Sequence, residues 1–182
     1  MIIVIGIDPG FAHCGFAEHW SHPISGCPPW VAQEYKSAPG ASFNARLQAL
    51  RAWLSARLVY DYRTHVVVGI EEQSQVVVGK TRAGKTDLNS LRVQQVVGLL
   101  KGLAWASGFE VVEVSPGAAK LALAGSAVAT KRQMRAAARR RLGRFPSGRL
   151  PSEHEADAIG VALAAEGKLR LDAAVTRSKA RR

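Results

Sequence analysis

Asp8 closes the short β-branched run IIVIGID, directly before the turn Pro9-Gly10. An Asx turn is the ordinary use of an aspartate there; a carboxylate presented at a strand end is the other. Glu71, followed at once by Glu72, closes HVVVGIEE (65–72), where an acid beside a β-branched run is poor core filler. Asp157 lies in HEADAIGVALA, ahead of Ile159, Val161, Leu163 and Ala164. An acid on the inward side of an apolar helix is costly unless it is paired or bound to metal. Helical spacing puts His154 at i−3 from Asp157 and Glu153 at i−4, where both can share its face. Carboxylates gathered at strand ends and a helix start repel one another until a divalent cation neutralises them. Oxygen ligands favour magnesium or manganese over zinc. Two such ions about 3.5–4 Å apart can activate water and stabilise the leaving oxygen of a phosphodiester.

Those residues need elements to hold them. IIVIGID reads as a buried strand. CGFAEHW (14–20) and WVAQEYK (30–36) alternate loosely around a Pro/Gly-rich loop and read as antiparallel partners. From Ser42 to Val59 the apolar residues Phe43, Leu47, Leu50, Trp53, Leu54 and Leu58 recur at helical steps, with Ser42 as N-cap. HVVVGIEE is a further strand, Leu88 to Trp105 a long helix and EVVEV (110–114) a strand. Short helices are expected near 117–123 and 130–142, and a last helix over about 152–166. Three strands, then helix, strand, helix, strand and helices make an α/β order with an antiparallel opening meander. Ribonuclease H-like folds and the halves of actin-like ATPases are built this way. No repeat or linker interrupts the chain, so one domain (1–167) is expected, followed by a basic tail (168–182) expected to be disordered until a partner orders it.

The 182 residues are long enough for one real core, and 47% hydrophobic content fits a globular chain. No apolar run approaches the roughly 20 residues needed to span a bilayer. The start MIIVIGIDPG lacks the features of a signal peptide, and Cys14 and Cys27 are too few for a disulfide framework. A cytoplasmic protein is expected. The net charge is +11. No acid occurs between Glu113 and Glu153, an interval that holds Lys120, Lys131, Arg132 and six further arginines. Without the tail the chain keeps 19 basic against 13 acidic residues, so the folded part is basic by itself. Such a block points to a polyanion, nucleic acid ahead of a membrane.

GKTRAGKT (79–86) satisfies the phosphate-loop pattern G-x-x-x-x-G-K-[ST]. A working phosphate loop joins a buried strand to a helix and needs a second-strand aspartate for magnesium. The preceding EEQSQVVV is mostly polar, and EVVEV leads into Ser115-Pro116 without such a carboxylate. The favoured reading is a mobile loop whose Lys80, Arg82 and Lys85 contact a phosphodiester backbone. A nucleotide-binding protein is the minor alternative.

Taken together, four ordered stretches resemble the RuvC-type Holliday junction resolvases of the ribonuclease H-like nuclease superfamily. They are IGIDPG, VVVGIEE, VVEVSPGAAKLALAGSAVATKRQM and HEADAIGVALA, and the resemblance covers roughly residues 2–166. It implies a ribonuclease H-like fold with a mixed five-stranded sheet flanked by helices. It implies Asp8, Glu71 (rather than Glu72), His154 and Asp157 as catalytic residues and ligands of two magnesium ions, with manganese able to substitute. It also implies a homodimer that nicks opposed strands of a four-way junction in DNA recombination and repair, with SLRVQQVVGLL in the dimer helix. Lys120, Lys131 and Arg132 would approach the DNA backbone, and a branch-migration motor is the further partner such an enzyme invites. The family's aromatic residue after the second acid has no counterpart in EEQSQVVV. The rival activity is that of another ribonuclease H-like nuclease, acting on RNA or on branched replication intermediates.

His13, Cys14, His19, His22 and Cys27 cluster early, but their spacing fits no zinc finger, so core or loop roles are expected. Trp20, Trp30, Trp53 and Trp105 are spaced as core or interface residues.

Overall fold

The computed structural model describes residues 2–21, 30–61, 63–72, 88–142 and 149–180. Five strands form one sheet: β1 (Ile2–Asp8), β2 (His13–Trp20), β3 (Trp30–Lys36), β4 (His65–Glu71) and β5 (Glu110–Val114). Their order across the sheet is β3-β2-β1-β4-β5. β1, β2 and β3 pair antiparallel, and β4 and β5 join parallel. This is the expected mixed sheet with its opening meander.

The central strands are buried on both faces, and the two-residue alternation of side chains sorts them. Ile3, Ile5 and Ile7 of β1, Cys14 and Phe16 of β2, and Val66, Val68 and Ile70 of β4 point to one face. There they pack with Leu50 and Leu54 of α1 (Phe43–Ser55) and Val96, Leu100 and Ala104 of α2 (Leu88–Ala106). Val4, Ala17, Val67, Val112 and Val114 point to the other face. It is covered by α3 (Pro116–Ala124), α4 (Lys131–Leu142) and the small-residue face of α5 (Glu153–Ala180).

Ser42 caps α1 as expected, its side chain accepting from the Ala45 amide. The helix stops at Ser55 rather than near Val59, but Leu58 stays buried because the chain turns back and its amide still reaches the Leu54 carbonyl. The larger difference is in α5. It does not end near 166 but continues to Ala180, so residues 168–180 of the basic tail are helical. At 28 residues α5 is about 42 Å long. The buried residues of α5 run from Glu155 to Ala165, and the helix beyond Leu169 is exposed.

Candidate active site

The sheet alternation that points Val4 toward α5 does the same for Gly6 and then Asp8. On β4 it does so for Val67, Gly69 and Glu71. Ile7 and Ile70 are paired neighbours in the parallel ladder, so Asp8 and Glu71 end adjacent strands on the same face. Glu72 lies one residue further, exposed, with its amide bonded to the Val114 carbonyl. Its odd step past Glu71 turns it away from that face.

α5 supplies the remaining groups because it lies unusually close to the sheet. A Cβ on Gly6 would stand 2.0 Å from the Ala158 carbonyl oxygen, and one on Gly15 would stand 2.0 Å from the His154 carbonyl oxygen. Only glycine leaves room for that approach. The start of α5 is fixed by a reciprocal cap. The Ser152 hydroxyl accepts from the Glu155 amide at 3.1 Å, and the Glu155 carboxylate accepts from the Ser152 amide at 2.7 Å. This is the S-x-x-E capping box. Glu155 is wholly buried and also accepts two hydrogen bonds from the Arg149 guanidinium, at 2.8 and 2.5 Å.

The anchored first turn brings His154 and Asp157 to the two strand-end acids. His154 Nδ1 donates to Asp8 Oδ2 at 2.6 Å. That bond to Asp8 raises the imidazole pKa above its ordinary value, burial opposes it, and the charges of Asp8, Glu34 and Asp157 add to the rise. Burial, then the Asp8 charge and a hydrogen bond with Asp8, push Glu71 up to about 8. Burial and the Asp8 charge push Asp157 up to about 6, against the opposing charges of His154, Lys131 and Lys120. Burial and the Asp8 charge thus disfavour the anions of Glu71 and Asp157, and a cation among them would offset that. A divalent ion with a preference for oxygen ligands fits this donor set.

Lys120, on α3, is near enough to lower the Glu71 pKa. Close contact of α3 with α5 places it there: a Cβ on Gly160 would stand 2.8 Å from the Ala119 carbonyl oxygen. Lys131 opens α4 and pairs with Glu153. Arg132 follows it in an exposed groove of about 610 Å³, lined also by Arg135, Arg139, Arg140 and Leu150. Lys80, Arg82 and Lys85, with the whole GKTRAGKT stretch, lie outside the described residues, as do His22 and Cys27.

Two residues not anticipated as site residues stand beside His154. His13 Nδ1 bonds Glu34 Oε1 at 2.7 Å, and the His13 and His154 rings stack at 5.2 Å. One ligand atom from each of His13, Glu34 and His154 lies within 4.8 Å of the others, the one such group of three among the described residues. Strand alternation was the available signal, since 13, 15 and 17 on β2 and 30, 32 and 34 on β3 share the α5 face. Of the other early candidates that are described, Cys14 is buried and His19 stacks on Trp30 at 4.1 Å.

No helix among the described residues is long and apolar enough to cross a membrane. Residues 4–165 match the family "Crossover junction endodeoxyribonuclease RuvC". A search of curated proteins finds no match. Among solved structures, RuvC of Thermus thermophilus superposes with a TM-score of 0.67 at 25% identity, covering 93% of this chain and 96% of that one. The same organism's RuvC in complex with a Holliday junction substrate gives 0.69 at 26% identity, covering 94% and 97%. The fold and the length of the family match agree: the chain belongs to the RuvC family of crossover junction endodeoxyribonucleases.

Proposed function

We propose that this enzyme resolves four-way DNA junctions by metal-dependent phosphodiester hydrolysis at Asp8, Glu71, His154 and Asp157. The observation that carries the assignment is the meeting of these groups at one end of the sheet, where His154 bonds Asp8 at 2.6 Å and the Asp8 charge acts on both Glu71 and Asp157. Asp8, Glu71 and Asp157 would hold one or two magnesium or manganese ions. When bound, the cation supplies Lewis acidity, making water nucleophilic at neutral pH and neutralising charge that develops on the phosphate. His154, bonded to Asp8, keeps its proton to higher pH than a free imidazole and can deliver it to the departing oxygen. Lys120 adds positive charge beside the acids for the scissile phosphate.

Binding of the junction arms falls to the basic groove of α4 and to Lys131 and Arg132, with Lys80, Arg82 and Lys85 contributing from the loop after Glu71. Two opposed strands are cut by two copies of the chain. On α2, Leu91, Gly98, Gly102 and Trp105 follow one helical stripe; Leu91 and Trp105 are exposed, and nothing lies within 4 Å of a Cβ at either glycine. An open, partly apolar stripe with glycines at i and i+4 suits close contact with a second α2. The test is a magnesium-dependent cleavage panel with a mobile four-way junction, a flap, linear duplex and an RNA–DNA hybrid. Paired nicks confined to the junction support the proposal. Preferential cutting of the hybrid or flap would favour the rival nuclease activity.

A further inference from the structure

We propose that His13, Glu34 and His154 form a second metal site, suited to a borderline transition ion of the zinc class rather than to magnesium. Two imidazole nitrogens and one carboxylate oxygen make up the donor set of a three-ligand zinc site with an open fourth position. Imidazole ligation selects zinc over magnesium, which prefers oxygen and an octahedral shell. The three donors come from separately anchored elements. His13 and Glu34 stand on the paired strands β2 and β3, and His154 stands on the capped first turn of α5. Tetrahedral zinc holds its ligands roughly 3.3 Å apart at bonds of about 2.0 Å. The present spread is no more than 4.8 Å, with His13 Nδ1 and Glu34 Oε1 at 2.7 Å, so the donors need to move by on the order of 1 Å to reach that spacing, and His13, half-exposed, has room to turn. Lys36 Nζ, 3.5 Å from the other Glu34 oxygen, is mostly exposed and can turn to solvent.

The site shares only His154 with the proposed catalytic carboxylate centre. The magnesium and zinc classes therefore occupy different donor sets, coupled through one side chain. Zinc bound at His13 and Glu34 draws on the imidazole that also bonds Asp8, which makes the ion an inhibitor of magnesium-dependent cleavage.

The test uses the full chain, stripped with chelator and then saturated with magnesium, titrated with cobalt(II) as a spectroscopic stand-in for zinc. The expected result is one cobalt per chain, with visible absorption bands of low-coordinate, nitrogen-ligated cobalt. His13→Gln and Glu34→Gln should each weaken it about tenfold or more, and Asp157→Asn should leave it in place. Zinc should inhibit junction cleavage, and inhibition of His13→Gln should require about tenfold more zinc. Each variant is checked by its melting temperature without metal, and the two substitutions test the site independently. Cobalt binding unchanged in both His13→Gln and Glu34→Gln would overturn the proposal. So would binding that vanishes in Asp157→Asn, which would move the ion to the carboxylate centre. The Asp157→Asn arm keeps this proposal separable from the catalytic assignment.

Discussion

The α-carbon of Gly15 on β2 faces the backbone of His154, so closely that a methyl group there would sit 2.0 Å from the His154 carbonyl oxygen. Two neighbours share this fit: Asp8 pairs with Gly15 in the antiparallel ladder, and His154 bonds Asp8 at 2.6 Å. Gly15→Ala must therefore lift the first turn of α5. It should destabilise the fold by about 3 kcal/mol, the upper range for overpacking. Displacing His154 by about an ångström should lower cleavage about a hundredfold. Urea unfolding and single-turnover cleavage check both; a stable variant with normal rate would show that α5 is not held by this contact.

Arg149 and Glu155 make an asymmetric pair, one half exposed and the other wholly buried. Among the described residues, Arg149→Ala leaves the buried carboxylate with only the Ser152 amide, and should cost about 3 kcal/mol. Glu155→Ala loses a cap but leaves the half-exposed Arg149 within reach of water, and should cost about 1 kcal/mol. Denaturant midpoints of the two variants read the order directly, and the reverse order would mean the guanidinium is not the group that makes burial of Glu155 tolerable.

Glu71 ordinarily titrates near 4.5 but stands at about 8 in the folded chain, because burial and the Asp8 charge disfavour its anion. Between those values the folded chain without metal binds more protons than the unfolded chain, so its stability falls as pH rises across the window. Asp157, raised to about 6, adds to the fall at the lower end. On the proposed assignment magnesium would bind the ionised forms and offset their repulsion, so the gain in melting temperature on adding magnesium should grow from pH 6 to pH 8. A gain independent of pH would place the ion elsewhere.

Arg132, Arg139 and Arg140 line the α4 groove. Replacing all three with alanine should weaken junction binding at any sequence and flatten its salt dependence by roughly one unit per lost phosphate contact. Fluorescence anisotropy at several salt concentrations measures the slope. An unchanged slope would remove the groove from the DNA path.

The strands were legible because β-branched runs ending in Asp8 and Glu71 have few other uses, and α1 because Ser42 precedes a clear helical stripe. Glu71 rather than Glu72 came from the family resemblance alone; the sheet adds a physical reason, since alternation turns one toward α5 and the other away. His13 and Glu34 were not legible as partners of His154: their meeting depends on the β2–β3 register and on glycines that admit α5, neither of which appears in residue spacing. The capping box of Ser152 and Glu155 emerged only with the structure, and its acid is buried against Arg149, a contact no local pattern predicts. α5 runs past 166 because Ala, Leu, Lys and Arg are good helix formers even after the apolar face ends. A pattern argument that follows burial stops too early there.

If Asp8, Glu71 and Asp157 form the hydrolytic centre while DNA is held elsewhere, loss of any one of them stops cleavage without releasing the junction. The most direct measurement compares cleavage and binding of a synthetic mobile four-way junction by the wild type and by Asp8→Asn, Glu71→Gln and Asp157→Asn in magnesium. The account predicts paired nicks by the wild type, and in each variant cleavage reduced by about a thousandfold or more with junction affinity within a few-fold of the wild type. Near-normal cleavage by any of the three variants would contradict it.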